Sequence, residues 1–225
     1  MFNPDAYLQQ LTDRMKAEFG SRLLYVGLQG SYLRGEATEN SDLDVMVIID
    51  RLSAADLAAY RNIISGMEAV EKSCGFICGR EEFAAWNPLE ACHVLHGTKD
   101  YYGTLAPLIP QYEKQDILHF VKLSLGNLYH EICHRYIHMD TETNRQALPM
   151  TYKGVFFILQ NLYYLKTGAF CLTKKELLGM LEKDDRAVME MSLRIASDPD
   201  YDFDQAFETL FAWCQRTLTC CENLM

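Results

Sequence analysis

The chain has 225 residues, 49% of them hydrophobic, which is enough for one large domain or two small ones with real cores. Its formal net charge of −10 argues against general nucleic-acid binding, which rests on neutralising phosphates, and suits a cationic small substrate or a basic partner. Eight cysteines do not make a disulfide framework here: the opening MFNPDAYLQQ has no basic-then-apolar leader, no CxxC pair occurs, and most cysteines sit among apolar residues, so a cytoplasmic, reducing setting is expected.

Asn3-Pro4 reads as a cap and first helical position; Leu8, Leu11 and Met15 repeat at helical spacing and Gly20 closes the helix. The apolar run 23–28 predicts a buried strand, and Asp42-Leu43-Asp44 leading into the apolar β-branched run 45–49 predicts a second, 42–49. Between them lie a Gly30-Ser31 turn, the start of a short helix and a polar loop, 36–41. Ser53 with Asp56 begins a helix whose apolar face is Leu57, Tyr60, Ile64 and Met67. Residues 74–78 read as a third strand, and Asn87-Pro88 must break any helix. The stretch 89–95 is ambiguous between states, and 100–103 reads as a strand end or a turn.

After Pro107 and Pro110 the period becomes helical and stays so. Residues 116–139 carry one stripe of Ile117, Val121, Leu125, Leu128 and Ile132. Residues 141–147 read as a loop, with Pro149 opening a second long helix that Gly168 ends. That helix is apolar nearly all round, which places it at the centre of a bundle. Thr173 with Glu176 starts a third helix, 183–196 forms a fourth, and Asp204 caps a fifth. The expected architecture is an α/β (α+β) half with a small mixed sheet, residues 1–106, followed by an all-α helical bundle, residues 107–225. No apolar run approaches the roughly 18 residues that a membrane span needs.

The informative stretch is GSYLRGEATENSDLDVMVI. Asp42 and Asp44 are one residue apart on a strand and so share a face, with Leu43 pointing into the core. Two hard oxygen donors beside a Gly-Ser turn suit a divalent cation and phosphate oxygens. This stretch resembles the GS…DxD motif of the DNA polymerase β-type nucleotidyltransferase superfamily. Its texture is similar to the small bacterial branch that holds kanamycin nucleotidyltransferase-like enzymes and minimal nucleotidyltransferases. The match covers the first half of the chain, and its sharp part is about twenty residues.

The resemblance implies Mg²⁺-dependent transfer of a nucleoside monophosphate from a triphosphate, most simply ATP, to the hydroxyl of a small-molecule acceptor, with pyrophosphate released. Asp42 and Asp44 are then the metal ligands, Gly30 and Ser31 hold the phosphates, Arg34 adds a forked contact and Ser41 orients Asp42 or caps its turn. The family supplies a third carboxylate from a later strand. Residues 74–78 contain no acid, so Glu81 or Glu82 is the expected source, ahead of Asp100. Lys153, in an otherwise apolar helix, is the expected second-domain contact to the triphosphate. A protein-adenylylating antitoxin-type enzyme and a non-catalytic nucleotide-binding regulator are the alternatives, and the partner is a hydroxylated small molecule, a second copy or another protein. His130-Glu131-Ile132-Cys133-His134 also matches the zinc motif HExxH, extended by His138, but lacks the later Gly and His of the metzincins.

Overall fold

The computed structural model describes residues 2–221 and divides into two units, Met1–Gln111 and Tyr112–Met225. In the first, Asn3 caps α1 (Pro4–Phe19) by accepting from the Ala6 amide at 3.1 Å. The chain continues through β1 (Leu23–Leu28), α2 (Gly30–Arg34), β2 (Leu43–Ile49), α3 (Ala54–Ser65), β3 (Ser73–Gly79), α4 (Arg80–Ala84), α5 (Ala91–His96) and β4 (Lys99–Tyr102). The sheet order is β3-β2-β1-β4; β1 is antiparallel to both β2 and β4, and β2 is parallel to β3. The two ambiguous stretches thus resolve into α5 and an edge strand.

Alternation along the two central strands sorts this unit into two cores. Leu43, Val45, Val47 and Ile49 of β2 join Val26 and Leu28 of β1 beneath α1, whose Leu8, Leu11 and Met15 are fully buried. On the other face Tyr25, Met46 and Ile48 pack with Cys78, Phe83 and Leu105. Leu57, expected on the apolar face of α3, is 47% exposed instead; Tyr60 and Ile64 carry that contact.

The second unit is all helical: α6 (Lys114–His138), α7 (Thr141–Thr167), α8 (Lys174–Met180), α9 (Lys183–Ser197) and α10 (Phe203–Cys220). As expected of a helix apolar all round, α7 packs against the other four. Its start differs from the sequence reading. Residues 141–147 are helical, capped by Asp140, and Pro149 lies inside the helix. A proline there removes the amide that would bond the carbonyl of Arg145. The Tyr201 hydroxyl donates to that carbonyl at 2.5 Å, and Arg145 Nη1 donates back to the Tyr201 carbonyl at 2.6 Å, so the orphan is satisfied from outside the helix. The cap of α10 is Asp202, which accepts from the Gln205 amide, and Asp204 sits in the first turn. Among the described residues no helix is long and apolar enough to cross a membrane.

Candidate active site

The site is built where β1 ends and β2 begins. The Gln29 amide donates to the Asp44 carbonyl at 2.9 Å, locking the turn to the start of β2. The Gln29 side chain donates to Thr98 Oγ1 at 2.8 Å, holding the turn from the β4 side. Gly30 then opens α2 at φ +70°, and a Cβ on it would lie 1.9 Å from Asp44 Oδ2. Only glycine admits both the left-handed backbone and the carboxylate. Ser31 follows in the first turn of this short helix, so the Gly-Ser turn and the second aspartate touch.

Asp44 is half-buried on the face of β2 that carries Met46 and Ile48; Asp42 is exposed, one residue before the strand. Ser41 braces the loop that delivers them: its Oγ accepts from the Thr38 amide at 2.9 Å. Lys72 pins the same loop by donating to the carbonyls of Glu39, at 2.7 Å, and Ser41, at 3.3 Å.

The third corner is a thiol. β3 runs parallel to β2 with Cys74 opposite Asp44, and one donor atom from each of Asp42, Asp44 and Cys74 lies within 4.8 Å of the others. Gly75, at φ +118°, permits this approach, since a Cβ there would meet the Val45 carbonyl at 1.9 Å. Burial, and next the charge of Asp42, push the Asp44 carboxyl above its ordinary range; a hydrogen bond from Cys74 and the charge of Arg34 pull it back. The Cys74 residue is exposed as a whole, yet its sulfur faces the carboxylates, and desolvation followed by the charge of Asp44 raises its thiol pKa.

Glu81 and Glu82 are not brought to this cluster. They are exposed in the first turn of α4, past the far end of β3, and Glu82 lies against Gly79. The reason is strand direction. Because β3 is parallel to β2, its beginning lies beside the aspartates and its end lies about 20 Å away along seven residues. The side chain that β3 does bring to the aspartates is Cys74, at the start of the strand, where no acid marks it in the sequence. Asp100 lies on β4, where the Tyr25 hydroxyl donates to it at 2.7 Å. Arg34 is mostly buried, with Nε donating to Glu36 at 2.9 Å, and its charge reaches Asp44 and His93. His93, on α5, is a neighbour of Arg34 that no sequence motif announces; burial, then Arg34, push its imidazole down to about 4. Lys153 is exposed on α7, in the second unit.

The two carboxylates fit a magnesium ion, which takes one or two protein carboxylates and completes its shell with water and substrate phosphates. The histidine row on α6 does not make a comparable site. The rings of His130 and His134 stack with centroids 6.1 Å apart, while Glu131 is held by Arg135 and by the Thr151 hydroxyl, each at 3.0 Å. Among the described residues the group of three convergent metal-ligating side chains is Asp42, Asp44 and Cys74.

A mixed sheet with a Gly-Ser turn pressed against paired aspartates defines the class of nucleotidyl-transfer domains. Residues 8–81 match the family model described as a nucleotidyltransferase domain. Residues 8–81 are thus a nucleotidyltransferase domain, in keeping with the nucleotidyl-transfer enzyme the sequence motif implies. Its fold is similar to a spectinomycin adenyltransferase from Enterococcus faecialis solved with ATP and spectinomycin, at TM-score 0.60 and 13% identity, covering 96% of this chain and 100% of that one. A nucleotidyltransferase-like protein from Exiguobacterium sibiricum 255-15 aligns at TM-score 0.36 and 13% identity over 94% of this chain and 74% of that chain. No curated protein matches in sequence.

Proposed function

We propose that this nucleotidyltransferase moves a nucleoside monophosphate from a triphosphate, ATP in the simplest case, to a hydroxyl of a small amine-bearing acceptor of the aminoglycoside type, releasing pyrophosphate. The observation that carries the reading is the contact of Gly30 with Asp44: the turn that cradles phosphate and the carboxylate that holds the cation are one structure. Asp42 and Asp44 would hold a magnesium ion, which when bound would supply charge neutralisation for phosphate oxygens in an in-line displacement. The backbone at Gly30 and the Ser31 hydroxyl grip the terminal phosphates. Arg34 balances the charge at Asp44 and offers a fork to a phosphate oxygen. Ser41 serves by holding its loop, through the Thr38 contact.

The thiol at the third corner supports a second reading, a nucleotide-binding regulator with weak turnover. Incubation with the four labelled triphosphates, Mg²⁺ and a panel of hydroxylated acceptors separates the two. Transferase activity predicts acceptor-dependent pyrophosphate release in the wild type and its loss in Asp42→Asn and Asp44→Asn. Nucleotide binding with no release for any acceptor would favour the regulator. Undiminished release in either variant would remove the assignment of these carboxylates.

A further inference from the structure

We propose that Cys74 makes this a mixed oxygen–sulfur metal site, which takes a thiophilic divalent ion of the Zn²⁺, Co²⁺ and Cd²⁺ class through Asp42, Asp44 and Cys74 and holds it more tightly than Mg²⁺. The consequence for activity, that such an ion displaces magnesium and stops transfer, rests on the function proposed above; the binding itself does not.

The donor chemistry carries the first part. Magnesium takes hard oxygen ligands, whereas thiolate selects the softer ions, and first-row affinities rise from manganese towards copper and zinc. A site with three carboxylates is all hard oxygen and suits magnesium; one with a sulfur at a corner shifts the preference towards the softer ions. The geometry carries the second part. Donors on a tetrahedral ion with bonds of roughly 2.0–2.3 Å lie about 3.3–3.8 Å apart. The triad already lies within 4.8 Å, so it closes on an ion by side-chain adjustments of about 1 Å.

The supports are fixed in advance. Asp44 and Cys74 sit opposite each other on hydrogen-bonded strands, and Lys72, the residue just before β3, ties down the loop that carries Asp42. Asp42 and Cys74 are both exposed, which leaves an ion an entry path and an open coordination position for water or a phosphate oxygen. On binding, the thiol proton passes to solvent and the sulfur enters as thiolate.

The test uses the metals alone on the full-length protein. Co²⁺ and Cd²⁺ titrations of the wild type should give the intense ultraviolet sulfur-to-metal charge-transfer band, and Cys74→Ser should lose it while keeping the wild-type circular dichroism spectrum. Loss of outer-shell partners alone costs 10–100-fold in metal affinity, so loss of the ligating sulfur should weaken Cd²⁺ binding at least about tenfold. Cys74→Asp should reverse the preference, weakening Cd²⁺ and strengthening Mg²⁺. A wild-type protein without the band, or a band undiminished in Cys74→Ser, overturns the proposal, the latter because another of the eight cysteines would be the ligand. If the band is present and assigned to Cys74 but no acceptor supports transfer, the thiol site stands and the transferase reading fails.

Discussion

An alanine at position 30 would set its Cβ 1.9 Å from an oxygen of Asp44 and hold it at φ +70°. Either the turn or the carboxylate must move, so Gly30→Ala should cost about 1–3 kcal/mol of stability and most of the transferase activity, read by chemical denaturation and pyrophosphate release. Asp44→Asn should separate these two quantities. The native carboxylate is half-buried beside a like charge at Asp42, a strain that a bound cation relieves. The amide should therefore abolish turnover yet raise the stability of the metal-free protein, by on the order of 1 kcal/mol. A fall in its melting temperature would contradict the electrostatic account. His93 gives a pH signature of its own. Its folded pKa, about 4, lies below the ordinary histidine value, so the unfolded chain binds the proton more readily. The stability that neutral His93 contributes is complete above about pH 6.5 and is lost as pH falls towards 4, amounting to about 3 kcal/mol. A His93→Asn variant should show a shallower loss of stability over that window, and parallel curves would rule the effect out.

Pro149 shows how a helix survives a residue that should begin or break it. The carbonyl of Arg145 takes its hydrogen bond from Tyr201, a residue that precedes α10. Tyr201→Phe keeps the packing and leaves that part-buried carbonyl without its donor, at a cost of about 1 kcal/mol. In a Pro149→Ala background the restored amide supplies the bond within the helix, and the same substitution should cost clearly less; an equal cost in both backgrounds would refute the compensation. The example also explains what could be read in advance. The strands β1 and β2 were legible because β-branched and apolar runs declare burial, and the Asn3 and Ser53 caps because their chemistry is local. The Asp42–Asp44 pair with Gly30-Ser31 was legible because spacing and alternation suffice. The true start of α7 was not, since nothing near Pro149 in sequence announces Tyr201. Nor was the third corner, since the parallel register that sets Cys74 beside Asp44 is a relation between strands thirty residues apart.

The charge of the whole chain bears on what it accepts. A net −10 raises a negative potential around the protein, which repels polyanions and concentrates cations near the surface. On the proposed function a nucleotide would enter against that field, offset by its cation and by Arg34, and an amine-bearing acceptor would be drawn in by it. The two substrates should therefore respond oppositely to salt. At about 0.15 M the screening length is about 8 Å and shrinks further with added salt, so long-range steering fades. The kcat/KM for a polycationic acceptor should fall several-fold between about 0.02 and 0.3 M salt, whereas that for the triphosphate should hold or improve. An uncharged acceptor of the same size serves as the control and should show little change. If the polycationic and neutral acceptors respond alike, the acidic surface has no part in acceptor choice, and the case for an amine-bearing substrate falls back on the fold alone.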